Sequence, residues 1–327
     1  MIGRGVVIAA FAAAVTVACA PPPPAEVTFA FVGDSPYGTV ASAAYPSLVA
    51  SIDADPDVAF VAHAGDIRGG DTDCSDAVIR RSFELFQQFD DAFWFTPGDN
   101  EWTDCHRLGG FLPTERLAFV RSLFFPDPGR TTGGAPMPVV SQAAGADISR
   151  RAFVENTLFH RECATFGAVH VVGSRDGAEP WGSDRGDAPA GRPAGDQPDL
   201  RIAETTARRA AAVAWIDEIF DRATLAGSEA VFVMMQAEPV AGDPEYAAVR
   251  ERLLARTAVF DGEVMLGHGD QHVFVLTPAY GGVANLTRLE VPGEAAATDR
   301  WLEVTVRCGA DAGEVFEVET VLVAPPA

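Results

Sequence analysis

The sequence predicts an α/β fold in one domain: a largely parallel sheet covered by helices and packed against a second sheet. Three observations predict it. Short apolar runs alternate with stretches of helical spacing through the first half of the chain, the pattern of strand–helix units. Several of those runs stop at Gly-Asp, where glycine turns the chain sharply at a strand end. From residue 273 onward apolar residues recur with period two, one strand after another. No internal repeat or composition break divides residues 27–327.

Residues 1–19 read as a targeting segment. Arg4 supplies the positive charge, and residues 6–17 form an apolar stretch too short to span a bilayer. Thr16-Val17-Ala18-Cys19 is similar to a bacterial lipobox, which makes Cys19 the lipidated first residue of an exported, membrane-tethered chain. Cleavage after Ala20 would instead leave Pro21 at the new terminus, a poor signal-peptidase product. Residues 20–26, with the run Pro21–Pro24, then form a stiff tether of polyproline type. Of the five cysteines, Cys19 goes to the anchor, which leaves an even number for disulfides in an oxidising compartment. Four cysteines allow three pairings. Cys74 and Cys105 each follow a proposed site loop by several residues and are paired here, leaving Cys163 with Cys308.

From residue 27 the elements alternate. Strands are predicted at 27–32, 58–62 and 93–95, and helices at 40–53, 75–89 and 113–124. The second helix has Ser75 or Asp76 as its cap and Phe83, Leu85 and Phe86 on its inner face. Residues 126–150 and 174–200, rich in Gly, Pro, Ala and Asp, read as long loops. Residues 158–159 and 168–172 read as a strand pair, and 203–226 as a helix with Val213, Ile216 and Phe220 inward. A buried strand at 230–235 ends at Gln236. A helix follows at 244–257, with proline in its first turn, then a strand at 264–266. The alternating segments 273–276, 286–291, 301–306 and 315–323 are expected to close a second sheet.

Charge limits the partners. With 24 basic and 46 acidic residues the net charge is −22, a field that repels nucleic acid, and no local basic patch counters it. Every basic side chain is arginine. The only membrane contact expected is the lipid anchor. Oligomeric state leaves no mark in the sequence.

The stretch Phe93–Arg107, FWFTPGDNEWTDCHR, carries the chemistry. An apolar strand stops at Thr96-Pro97-Gly98 and delivers Asp99, Asn100 and Glu101 in succession. Ligand sites of open α/β sheets form outside the carboxyl ends of strands. Four apolar runs end in Gly-Asp in this way, at Asp34, Asp66, Asp99 and Asp270. One such aspartate is ordinarily a turn or a helix cap. Four unpaired carboxylates side by side repel, and a cation relieves that repulsion. Clusters of Asp, Asn, Gln and His are what divalent metals use. Asp34, Asp66, Asp99, Asn100, Gln236, Asp270 and His272 are therefore expected to form a site for one or two ions.

In the order Gly33-Asp34-Ser35-Pro36, Gly65-Asp66, Gly98-Asp99-Asn100-Glu101, Gln236 and Gly269-Asp270-Gln271-His272, the chain resembles the calcineurin-like metallophosphoesterases. The resemblance runs from about Val27 to His272. It implies a two-sheet sandwich flanked by helices in four layers, and metal ligands Asp34, Asp66 (bridging), Asp99, Gln236, Asp270 and His272. The chain departs from the family pattern at five places. Pro36 replaces a histidine, Asp99 an asparagine, Asn100 the catalytic histidine, and Gln236 and Asp270 metal histidines; Gly98-Asp99-Asn100-Glu101-Trp102 looks like the signature of a divergent, exported branch. Oxygen donors in place of imidazoles favour Mg²⁺, Mn²⁺ or Ca²⁺ over Zn²⁺.

The catalytic candidates are Asn100, His63 and Arg68, with Glu101 and His106 nearby; Arg68 could instead hold a phosphate oxygen. His268 becomes the ligand in place of Asp270 if the last motif is read two residues earlier. Trp102 is expected to pack the loop, and His106, His160 and His170 to be surface residues. The function this implies is metal-dependent hydrolysis of a phosphomonoester or phosphodiester by an activated water. The alternative is a catalytically silent, metal-containing binding module at the cell surface.

Overall fold

A computed structural model describes residues 25–108, 110–182 and 195–324. The expected leader, Cys19 and residues 20–24 of the tether lie outside the described residues. The elements run β1 (Glu26–Val32), α1 (Gly38–Asp53), β2 (Val58–His63), α2 (Asp76–Phe86), β3 (Ala92–Phe95) and α3 (Pro113–Phe124). Then come β4 (Thr132–Gly133), β5 (Val140–Ser141), β6 (Thr157–Arg161), β7 (Ala164–Ala168), the short turn α4 (Gly173–Asp176) and α5 (Pro198–Ala226). The chain closes with β8 (Ala230–Met234), α6 (Ala247–Thr257), β9 (Glu263–His268), β10 (Val275–Thr277), β11 (Leu286–Glu290), β12 (Arg300–Arg307) and β13 (Phe316–Leu322).

These strands form two mixed sheets, ordered β13-β12-β1-β2-β3-β4 and β10-β11-β9-β8-β7-β6-β5. Between them lies an aromatic core: Phe29 stacks on Phe60 at 5.0 Å and meets Phe232 edge-on at 4.9 Å. Helices α1, α2 and α3 cover the first sheet through Tyr45, Leu48, Ile52, Phe86 and Phe124. Helices α5 and α6 cover the second through Ile216, Ile219, Phe220, Val249 and Leu253. The result is the four-layer α/β sandwich the sequence predicts. Among the described residues no helix is long and apolar enough to cross a membrane.

Three expectations need correcting. The last four alternating segments do not all join the second sheet: β12 and β13 return to the first, where β12 runs antiparallel beside β1. Period-two alternation reports which face of a strand is buried, not which sheet it joins. The strand expected at 168–172 starts earlier, as β7. Its small residues carry little strand propensity, and Gly167 is required because a Cβ there would lie 2.3 Å from Ile219 Cδ1. The loop expected at 126–150 contributes β4 and β5, one edge strand to each sheet.

Both predicted disulfides form, Cys74–Cys105 and Cys163–Cys308. The second joins residues 145 apart and ties the end of the β6–β7 hairpin to the end of β12. In the chain-entropy account a loop of that size stabilises by about 4–5 kcal/mol.

Candidate metal centre

Strands β1, β2 and β3 are parallel neighbours, as are β8 and β9 in the facing sheet. Their carboxyl ends therefore open at one edge of the sandwich, and each hands its side chain to the same place. The two sheets touch there: Asp270 N donates to Asp34 Oδ1 at 3.1 Å, and Gln236 Nε2 donates to Asp66 Oδ2 at 3.2 Å. The approach requires glycine. A Cβ on Gly269 would lie 2.0 Å from Asp34 Oδ2, and one on Gly98 would lie 2.0 Å from Asp66 Oδ1. Asp34, Asp66, Asp270 and His272 themselves hold positive φ of 49°, 57°, 83° and 63°. Backbone strain of this kind collects at functional sites.

Asp66, Asp99 and Asp270 each place a carboxylate oxygen within 4.8 Å of the others. They line a cavity of about 900 Å³ together with Tyr37, Asn100, Arg107 and His272. Burial pushes the Asp66 carboxyl well up, with Asp99, Glu101, Asp34 and Asp270 adding to it. Burial does the same to Asp99, helped by Asp104 and Asp270. Asp34 is raised by burial against the pull of His272, and its hydrogen bond raises His272 in return. Asp99 Oδ2 accepts from Ser174 Oγ at 2.7 Å, whereas the buried Asp99 Oδ1 has no partner among the described residues. An orphaned carboxylate oxygen amid raised carboxyls is a donor set that a hard divalent cation fits.

The amides play a different part from the one their positions suggest. Gln236 Oε1 accepts from Gly173 N at 2.7 Å, and a backbone N–H can face only the oxygen, so the NH₂ points at Asp66 and Asp270. Gln236 thus stands in this structure as a donor that orients two carboxylates. Asn100 behaves alike. Its Nδ2 donates to Asp66 Oδ2 at 2.9 Å and to the Tyr37 hydroxyl at 3.1 Å, and its backbone N to Asp66 Oδ1 at 3.1 Å.

Two catalytic expectations do not match the placement of the side chains. His63 is fully buried on Phe86, Phe93 and Phe95. Its Nε2 meets the Ser35 carbonyl at 3.1 Å, its Nδ1 accepts from Gly65 N at 3.1 Å, and burial drops its pKa to about 3. Both ring nitrogens are used, and each meets the backbone of a site loop. Arg68 spends its guanidinium on the carbonyls of Asp73, Asn100, Gly70 and Thr72, and is 1% exposed. It shapes the loop after β2. Glu101 likewise ties loops together, accepting from Gly98 N at 2.6 Å, and burial lifts it to about 7. His268 accepts from Arg288 Nε at 2.7 Å away from the cluster, which leaves Asp270 as the residue facing it.

Trp102 packs as expected, against His170 and Trp181. His106 and His170 are buried, not surface residues. His170 Nδ1 pairs with Glu155, which also holds Arg121.

Several residues at or beside the cavity carry no signal in the sequence. Ser174 Oγ lies 2.7 Å from Asp99 Oδ2 and 2.8 Å from Asp104 Oδ1, with one proton shared between them, and accepts from Arg107 Nη2 at 3.1 Å; Arg107 also pairs with Asp104. They come together because residues 174–177 form a left-handed turn, with φ of 50°, 55°, 54° and 70°. Left-handed backbone costs about 1–2 kcal/mol per non-glycine residue. Fully buried Arg208 offsets it by binding the Asp176 carboxylate and its carbonyl, while Tyr246 accepts from Asp176 N at 2.9 Å. Nothing periodic marks this segment. Tyr37 lies three residues after Asp34, one position past Pro36.

No family model matches the chain, and no curated protein matches it. Among solved structures it is similar to a 5'-nucleotidase from Candida albicans SC5314, at 11% identity and a TM-score of 0.48, over 91% of this chain and 52% of that one. The chain thus spans about half the length of that protein. It is also similar to GAP50, the anchor in the inner membrane complex of Plasmodium, at 10% identity and a TM-score of 0.45, over 92% of this chain and 90% of that one.

Proposed function

We propose that this protein is a metal-dependent phosphoesterase, exported and tethered through Cys19. The observation that carries the reading is the meeting of Asp34, Asp66, Asp99 and Asp270, from four strand ends in two sheets, with Asp66, Asp99 and Asp270 lining one open cavity. Asp66, Asp99 and Asp270, with Asp34 and His272 beside them, would hold Mg²⁺, Mn²⁺ or Ca²⁺ in preference to Zn²⁺, the donors being mostly hard oxygens. Such an ion supplies Lewis-acid polarisation of a phosphoryl oxygen and a water of lowered pKa. Asn100 and Gln236 aim the carboxylates. Arg107, on the cavity wall, offers a guanidinium to a phosphate oxygen.

Asn100 has no acidic proton to give a leaving group, and His63 faces the core. Help from a general acid is worth about 10²–10⁴-fold. The protein should therefore hydrolyse 4-nitrophenyl phosphate, whose leaving group needs no proton, at least about 10²-fold faster than an alkyl phosphate. Chromogenic monoesters and diesters assayed across Mg²⁺, Mn²⁺ and Ca²⁺ test the reading. Fully metallated protein that hydrolysed none of them would be the binding module instead.

Both disulfides fit an oxidising compartment. Expressed in its host, Cys19→Ser is expected to move the protein from the membrane to the soluble fraction. Equal partition of the two forms would remove the anchor.

A further inference from the structure

We infer that the substrate is a water-soluble phosphate ester, and not a headgroup of the bilayer that holds the protein. The inference rests on the anchored-hydrolase reading above and adds the class of substrate. What carries it is the place where the tether leaves the fold.

The Ala25 carbonyl, one residue before β1, accepts from Cys308 N at 3.0 Å. Cys308 is bonded to Cys163, whose carbonyl accepts from Glu229 N at 2.8 Å. The start of β1, the end of β12, the β6–β7 hairpin and the start of β8 thus meet in one base that spans both sheets. From that base β1, β2 and β3 run parallel to one another, as do β8 and β9, and all five end at the carboxylates. The tether and the cavity therefore occupy opposite ends of the sandwich.

Two lengths then decide which way the cavity can face. A strand rises about 3.3 Å per residue, so β1 carries the chain about 20 Å, and Asp34 stands about 25 Å from Ala25. Residues 20–25, between Cys19 and β1, reach about 22 Å at full extension. Pressing the carboxylates onto the bilayer would require Ala25 to stand at least about 25 Å above its surface. The tether would also have to pass around the flank of four layers, and it is too short for both. The cavity opens away from the anchoring surface or along it, so a headgroup would have to leave the bilayer to enter.

Charge acts in the same direction. Asp71, Glu294 and Asp299 line the cavity as exposed side chains, and the chain as a whole carries a net charge of −22. An anionic bilayer repels such a face at distances up to about 8–10 Å, the Debye length near physiological salt. A soluble ester meets neither obstacle.

Orientation can be read without any assay of activity. Cys74, Cys105, Cys163 and Cys308 are disulfide-bonded and Cys19 carries the lipid on this reading, so one added cysteine is the free thiol for a fluorophore. Val40→Cys marks the cavity, where Val40 is 82% exposed; Leu225→Cys marks the base, at the end of α5 before β8, where Leu225 is 89% exposed. Full-length lipidated protein is inserted into phosphatidylcholine vesicles that carry a nitroxide on a fraction of their headgroups. The probe at 225 is expected to be quenched several-fold more strongly than the probe at 40. Equal quenching, or stronger quenching at 40, overturns the inference. So does full-length protein that stays off the vesicles, since the tether is then no anchor. Hydrolysis gives a second reading: 4-nitrophenyl phosphate in solution should be cleaved, while a nitrophenyl phosphate bearing a hexadecyl chain in the same vesicles is spared. Similar rates on the two esters overturn the inference. If neither is cleaved, the hydrolase reading falls and the substrate class with it, and the probes still decide the orientation.

Discussion

Asp66→Ala is expected to lower phosphate-ester hydrolysis by about 10³-fold or more, measured as kcat/KM on 4-nitrophenyl phosphate at saturating Mn²⁺. Asp66 accepts from Tyr37, Asn100 and Gln236 and shares the triad with Asp99 and Asp270. An ion contributes several kcal/mol of charge stabilisation at the transition state, and each 1.4 kcal/mol or so is tenfold in rate. Alanine removes the charge while the glycines that admit it stay in place, so the fold should survive and circular dichroism should be unchanged. Retention of more than a tenth of the activity would show that the chemistry lies elsewhere.

The stabilisation conferred by Mn²⁺ over the chelated protein should grow as pH rises above the ordinary carboxylate range, by roughly 1.4 kcal/mol per pH unit for each proton the ion displaces. Asp34, Asp66 and Asp99 have folded-state values raised above the ordinary carboxylate range, in each case first by burial. A raised group contributes stability below its unfolded value near 4, and loses it as pH climbs toward its folded value. The metal-free chain is therefore penalised as the solution becomes alkaline, and a cation removes that penalty by taking the protons' place. His272, raised by Asp34, shifts the same way. His63 and His268, dropped to about 3, and His106, dropped to about 4, act in the opposite sense: the unfolded chain takes up protons there as pH falls below about 6.5. They do so with or without the ion, and cancel in the difference. Each kcal/mol amounts to about 2–4 °C in a chain of this class, within reach of scanning fluorimetry at paired pH values. A difference in Tm that stayed flat, or shrank with rising pH, would show that the carboxyls are not what the ion binds.

How much of this was legible in the sequence follows from what each feature depends on. The strand ends were readable because Gly-Asp after an apolar run is a local signal, and four local signals in one sheet architecture imply one edge. The disulfide pairing followed from parity and from two cysteines trailing site loops. What a side chain does once at the edge was less legible. Gln236 and Asn100, expected at the site, turn their NH₂ groups inward, because Gly173 N claims the oxygen of one and Asp66 draws the other. Arg68 and His63 have the chemistry of catalysts. Burial and nearby carbonyls commit them to the backbone, and those partners come from positions 2 to 32 residues away. Tyr37 and Ser174 carry no periodicity, since left-handed turns and helix starts are set by single residues. Sheet membership of β12 was invisible because pairing is a long-range fact.

The return of β12 to the flank of β1 has a consequence for how the molecule is assembled. The segment bearing Asp34 is formed first in synthesis, yet it becomes an interior strand only when residues 300–307 arrive to bond its open side. Until then its amide row faces solvent, and Cys163 has no partner to oxidise with. A chain ending before residue 300 would keep every carboxylate of the cavity and still lack the staple that makes the architecture whole. Completion of the first sheet waits for residues 300–307.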